Sequence, residues 1–233
     1  MLDRSDAPAQ PYDIVVPTAG RPSLQRLLDA LATGDGVPPR ALILVDDRPA
    51  GSGPLAATVP DGISARVEVL FGGGRGPAAA RNIGWRAARA QWVVFLDDDV
   101  VPAVDWRARL QHDLRALGPR DAASQGRIRV PLREGRRATD WERNVAGLER
   151  ARWVTADMVI RRAALRAVGG FDERFPRAYR EDADLALRLR AAGFGLRLGD
   201  RETLHPVPPA DRWVSVRKQA GNADDALMAA LHG

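Results

Sequence analysis

The sequence predicts an α/β fold with a mainly parallel central sheet flanked by helices. Three observations carry that reading. Short apolar runs alternate through the first half with stretches whose apolar residues recur at helical spacing. Two of the runs stop at aspartate clusters and a third at a glycine-rich loop, the places where open α/β sheets present ligands beyond the carboxyl ends of their strands. The 233 residues are 45% hydrophobic, an ordinary globular value and enough chain to bury a core without staples.

Ile14-Val15-Val16 reads as the first strand, ended by Pro17. A helix follows from about Ser23, its plausible N-cap, with Leu24, Leu27, Leu28 and Leu31 at helical spacing. Residues 41–45 form a second buried strand stopped by Asp46-Asp47, and the Gly-, Pro- and Ser-rich residues 48–64 a long surface loop. Residues 67–70 give a third strand, followed by the loop Gly72-Gly73-Gly74-Arg75-Gly76-Pro77. Pro77 suits the first turn of a helix running to about Ala90. Residues 92–96 are a fourth buried strand, ending in Asp97-Asp98-Asp99. Further on, 105–117 reads as helix and 124–152 as arginine-rich and irregular. A strand near 154–160 precedes a short helix at 162–168. An amphipathic helix at 180–192 is closed by Gly193 at C′, and a last helix runs from about Trp213 to Leu231. No internal repeat is present.

Composition narrows the chemistry. The chain has no cysteine, which excludes disulfides, thiolate nucleophiles and cysteine-held zinc and leaves oxygen or histidine as metal ligands. The formal charge of +5 is carried almost wholly by arginine, Lys218 being the only lysine. That favours phosphates, a nucleotide or an anionic membrane surface as partners. No aromatic platform or reading motif accompanies the charge, so nucleic acid is not expected. No apolar run is long enough to span a bilayer, and residues 1–10 lack the apolar centre of a signal peptide, so a flexible leader and a cytoplasmic location, peripheral at the inner face of the membrane at most, are expected.

The triple aspartate is the sharpest feature. Three consecutive carboxylates repel one another unless a cation sits among them. In extended chain Asp97 and Asp99 point to one side and could share a divalent ion, with Asp98 facing away. Such oxygens suit Mn2+ or Mg2+ bridged to the phosphates of a ligand. The bland alternative is a solvated turn. A phosphatase that forms an aspartyl phosphate would also place aspartates after a strand, but the sole lysine, near the C-terminus, fits it poorly.

Taken together, Val15-Val16-Pro17-Thr18, Val45-Asp46-Asp47, Ala80-Arg81-Asn82-Ile83-Gly84, Leu96-Asp97-Asp98-Asp99, Gly169-Gly170-Phe171-Asp172-Glu173 and Glu181-Asp182-Ala183-Asp184-Leu185 resemble the family 2 glycosyltransferases, in the family's order over residues 12–205. The resemblance implies the Rossmann-like GT-A fold, with residues 11–101 as a donor-binding half and 102–233 as an acceptor-binding half. It implies a metal-dependent, inverting transfer of a sugar from a nucleotide-diphosphate donor to the hydroxyl of a glycan, lipid-linked or small-molecule acceptor. Pro17 and Thr18 would border the base and ribose, though Pro17 reads better as a strand terminator. Asp47 would contact the base or serve as a turn residue, while Asp46 is structural. Arg81 and Asn82 would touch the donor; alternatively, a buried Arg81 holds the aspartates together. Asp97 and Asp98 join the donor contacts. His205 would be the third metal ligand beside Asp97 and Asp99, or else a loop histidine bonded to backbone.

In the Glu181-Asp182 pair the resemblance places the catalytic base, with Asp182 chosen to take the acceptor proton. Phe171 is expected to pack inward, and His112 and His232 to lie at the surface. The glycine loop could offer backbone N–H groups to a diphosphate. The arginines between 127 and 152 could bind an anionic acceptor, or simply form a solvated basic face. Two other functions compete: a sugar-phosphate nucleotidyltransferase, of which Thr18-Ala19-Gly20-Arg21 would be a poor signature, and a non-catalytic module that binds nucleotide or glycan.

Overall fold

The computed structural model describes residues 8–209 and 222–233. Its frame is one sheet of eight strands. The first half supplies β1 (Tyr12–Thr18), α1 (Ser23–Thr33), β2 (Ala41–Asp46), β3 (Arg66–Phe71), α2 (Pro77–Ala87) and β4 (Trp92–Leu96). The second half adds β5 (Val101–Pro102), α3 (Trp106–Ala116), β6 (Asp121–Arg129), α4 (Asp140–Ala146), β7 (Asp157–Arg161), α5 (Arg162–Ala167), α6 (Glu181–Ala191), β8 (Gly195–Leu204) and α7 (Asn222–His232). The strands lie in the order β3-β2-β1-β4-β7-β6-β8-β5. The β3-β2-β1-β4 block is parallel, β7 runs antiparallel between β4 and β6, and β8 is again parallel to β6.

Both faces of the sheet are covered, and the pleat divides the apolar runs between them. Ile14, Val16, Leu42, Leu44, Val94 and Leu96 pack into one core with α1 and α3. Val15, Ile43, Val45, Val93 and Phe95 pack into the other with α2, α5 and α6. Each such side chain, removed from water, contributes about 1.5–3 kcal/mol before entropy is counted. Helix α2 lies close on β1: a Cβ at Gly84 would stand 2.2 Å from Val15 Cγ1.

Several expectations are corrected. Pro17 does not end β1, which runs on to Thr18; past Val15 the strand pairs only with β2, so the missing N–H breaks no ladder toward β4. Ser23 is the first helical residue rather than the cap: Pro22 precedes the helix and the Ser23 hydroxyl has no partner. Helix α2 stops at Ala87, because Asp13, buried in β1, accepts the N–H groups of Arg89 and Ala90 and draws the chain off into β4. Residues 121–129 are not irregular but a buried strand, and 140–146 a helix with a full capping box between Thr139 and Glu142. Strand β8 carries no long apolar run and is a further addition. Of the last helix, 222–232 is present and 213–221 lies outside the described residues, as do residues 1–7 of the leader.

Strands β6, β7 and β8 are joined through a buried ion network. Arg201, fully buried, donates to Asp157 at 2.7 Å, to Asp113 at 2.8 Å and to Ser124 at 3.0 Å. Asp157 also accepts from Trp106 Nε1 and Thr203 Oγ1. Among the described residues no helix is long and apolar enough to cross a membrane.

Candidate active site

The carboxyl ends of β1 and β4 open into a cleft of about 730 Å3. The segments 154–156, 176–178, the start of α6 and 205–209 complete its walls together with α4. Two non-glycine residues among those described hold left-handed backbone, Trp153 and Arg180, and each directly precedes a cleft-lining segment. Such conformations cost free energy and tend to gather at functional sites.

The aspartate triplet lies in a turn past β4 rather than in the extended chain expected, with Val100 N donating to Asp97 O. It is Asp98 and Asp99 that share a partner, Arg21, while Asp97 is held by Arg81. Asp98 is buried and turned toward β1, accepting from Thr18 Oγ1 at 2.6 Å, Ala19 N and Arg21 Nη1. Asp97 accepts from Arg81 Nη2 at 2.7 Å, and Arg81 Nη1 donates to Glu181 Oε1 at 2.8 Å. A single buried guanidinium thus ties the triplet to the head of α6. Asp99 accepts from Arg21 and has its Oδ1 3.5 Å from His205 Nε2. Burial raises the Asp99 and Asp98 carboxyls above their usual range, and Asp97 adds to both. Burial likewise pushes Glu181 up to about 7 against the pull of Arg81, and raises Asp182. Burial is the main cause in each, neighbouring carboxylates add to it, and Arg21 and Arg81 pull the other way.

The donor set fits a divalent ion. Two adjacent ligands of an octahedral ion, each about 2.1 Å from it, stand about 3.0 Å apart, so Asp99 Oδ1 and His205 Nε2 at 3.5 Å would close by about half an ångström on binding one. His205 Nδ1 is buried without a hydrogen-bond partner, so no neighbour fixes the ring as a donor toward Asp99. Yet among the described residues no three such groups stand together as a ready cage. Arg81 holds Asp97, and Arg21 spans Asp98 and Asp99, so two arginines supply positive charge beside the triplet in this structure.

Pro17, Thr18, Asp47, Arg81, Asp97, Asp98, Asp99, Glu181, Asp182 and His205 all line the cleft. Asn82 does not. Its amide is buried behind the wall, donating to Phe171 O and Glu173 Oε1 while its carbonyl accepts from Phe171 N and Trp85 Nε1. Phe171 packs inward, edge-on to Phe95 with ring centres 5.2 Å apart. The glycine loop does not offer the amides expected of it: Arg75 N and Gly76 N donate to the two oxygens of Asp47. Asp46 is held by Arg48.

Comparison with known proteins follows the same outline. The model of glycosyl transferase family 2 matches residues 13–182. The chain belongs to that family. A pre-mycofactocin glycosyltransferase of Mycobacterium tuberculosis is 33% identical over 201 residues, covering 79% of this chain and 40% of the relative, so this family 2 chain spans well under half the relative's length. Among solved structures, the mannosyltransferase PcManGT from Pyrobaculum calidifontis, in complex with GDP-Man and Mn2+, superposes with a TM-score of 0.62 at 18% identity, over 93% of this chain and 64% of that one. GalNAc-T7 with UDP, GalNAc and Mn2+ gives 0.62 at 16% identity, over 86% and 44%. These likenesses show the GT-A fold.

Within this family 2 glycosyltransferase the sequence reading passes over Arg21, which reaches two of the three aspartates; its place just past β1, at the ligand end of the sheet, is the signal that marks it. It also passes over the docking of α7: Arg177 pairs with Asp224, Arg180 with Asp225, and His232, at the surface as expected, lies 2.9 Å from buried Asp184. Half of the arginines between 127 and 152 are held in ion pairs, Arg127, Arg129, Arg136 and Arg143 with Asp200, Glu202, Glu142 and Asp140. Gly170 is a point of close approach. Its φ is +80°, and a Cβ there would stand 2.5 Å from Asn82 Oδ1 and 2.6 Å from Trp85 Nε1. Gly170→Ala should therefore cost about 1–3 kcal/mol in urea unfolding by forcing Asn82 from Phe171.

Proposed function

We propose that this chain is a metal-dependent, inverting glycosyltransferase that moves a sugar from a nucleoside-diphosphate donor to an acceptor hydroxyl. One observation carries the reading: the strand-end aspartates and the Glu181-Asp182 pair, far apart in sequence, meet in one cleft bridged by Arg81. The bound GDP-Man, UDP and Mn2+ of the structural neighbours support the donor class and the metal.

Residues 11–101 hold the donor, with Thr18 and the Asp47-braced loop beside the nucleoside and Arg21 free, by its exposure, to turn from the aspartates to a phosphate. Asp97, Asp99 and His205 would hold Mn2+ or Mg2+, which when bound offsets charge growing on the leaving diphosphate. Arg81 fixes Asp97 and, as the partner of Glu181, favours its ionised form against the burial that raises it. Asn82 holds the Phe171 loop, and through it the wall of the cleft. Asp182 takes the proton of the acceptor hydroxyl as that oxygen bonds the anomeric carbon, while the bond to the diphosphate breaks on the opposite face and its electron pair leaves with the nucleotide. One displacement inverts the anomeric centre.

The test is a thermal-shift panel of UDP, GDP, CDP, dTDP and ADP, each with Mn2+ and with EDTA. A nucleotide at a hundred times its dissociation constant adds about 2.7 kcal/mol. One nucleotide should raise the melting temperature in Mn2+ and lose that effect in EDTA. Equal shifts in EDTA would remove the metal, and no shift with any nucleotide would remove the donor site. Stabilisation without transfer of any matching sugar would leave a non-catalytic module.

A further inference from the structure

Most charged groups of the cleft come from the strand ends, from Arg81 of α2 and from the start of α6; the wall built on α4 is of another kind. It is formed by Trp141, Asn144 and Val145 of α4, by Leu148 in the turn after it, and by Val154, Thr155 and Pro208, a mainly apolar lining with two polar side chains in it. Val145 and Val154 belong to the buried core, and Trp141 and Leu148 pack against it, so the wall has a firm backing. Its helix is anchored at the start: Glu142 closes the capping box with Thr139 and also receives Arg136. Trp141 is fixed at its polar edge, with Nε1 donating to Pro208 O at 2.9 Å, which ties α4 to the segment carrying His205.

From this wall we infer that the acceptor is a hydroxyl-bearing molecule with an apolar, aryl or alkyl, body rather than a free saccharide. The inference rests on the proposed reading of Asp182 as base, because the wall shares a cleft with it. A saccharide ring carries several hydroxyls, more than the two polar side chains of this wall can partner, and each one left against Val145, Leu148 or Val154 without a partner is unsatisfied. An aryl or alkyl group has no such demand and gains by leaving water. The hydroxyl end of the acceptor then lies toward Asp182, and its apolar end along α4.

The probes are phenyl β-D-glucoside, methyl β-D-glucoside and free glucose, titrated by calorimetry into the full chain with Mn2+ and the nucleotide selected in the thermal-shift panel. Phenyl glucoside should bind at least tenfold more tightly than methyl glucoside, with glucose no better than methyl. Trp141→Ala should erase the phenyl preference while the nucleotide-induced shift in melting temperature stays at its wild-type value. Should that variant not fold, Leu148→Ser provides the same comparison with a smaller change. Equal binding of phenyl and methyl glucosides, with nucleotide stabilisation intact, overturns the apolar acceptor and leaves the donor reading standing. Loss of nucleotide stabilisation in the wild type strikes the donor reading instead, and the phenyl-to-methyl ratio still decides the wall.

Discussion

Asp182→Asn will fold, bind nucleotide as the wild type does, and lose transfer by a factor of about 10^2–10^4, the range over which a positioned general base acts. The substitution is well matched to the question. Asp182 Oδ1 accepts from Ala183 N at 2.7 Å, and an asparagine carbonyl can keep that bond, so the start of α6 is preserved. What disappears is the basic oxygen. Glu181→Gln makes the informative contrast. Glu181 is buried and bonded to Arg81, so its loss should appear first in stability, as a guanidinium left short of one carboxylate. Transfer rates and urea midpoints measured side by side separate the two roles. A Glu181→Gln enzyme that folds normally but cannot transfer, beside an active Asp182→Asn enzyme, would exchange the assignments.

The second large effect is expected in the buried ion network behind the cleft. Arg201→Met should lower the free energy of unfolding by about 3–5 kcal/mol, because it strands Asp157 and Asp113 in the interior without their cation. Asp157 would keep Trp106 and Thr203 as donors, but neither carries charge. A fall of that size is a large part of a typical domain's stability. The check is a urea titration followed by tryptophan fluorescence. A loss under about 1 kcal/mol would mean that apolar packing alone holds β6, β7 and β8 together.

That network also explains what the sequence does and does not disclose. Strands β1, β2 and β4 are legible because each is an apolar run buried on both faces, and α6 because Gly193 closes it with φ +83°. Strands β6 and β8 are not, because their buried positions include Ser124, Gln125, Arg201 and Thr203, whose partners lie on other strands and on α3. Local composition cannot reveal a polar residue satisfied from dozens of positions away. The candidate site divides in the same way. Asp46 is held as a structural residue, but the facing of Asp97, Asp98 and Asp99 is not legible, because the chain turns at 97–100 instead of running on extended. The use of Asp47 is hidden, since both its oxygens go to loop amides nearly thirty residues on. Asn82 is hidden likewise: its four hydrogen bonds can be counted only after α2 and the Phe171 loop are placed together.

The antiparallel strand β7, set between β4 and β6, bears on how the chain is made. As synthesis proceeds, β1 to β4 can pair among themselves by residue 96, each with a neighbour already in hand. Strand β6 has no such neighbour when it emerges: its partners are β7 at 157–161 and β8 at 195–204. Even β5, two residues long and finished by 102, waits for β8. Contacts this distant in sequence form slowly and leave edges open meanwhile. The half proposed to hold the donor can therefore assemble early on the ribosome, whereas the aspartate triplet meets His205 only once the final strand is in place.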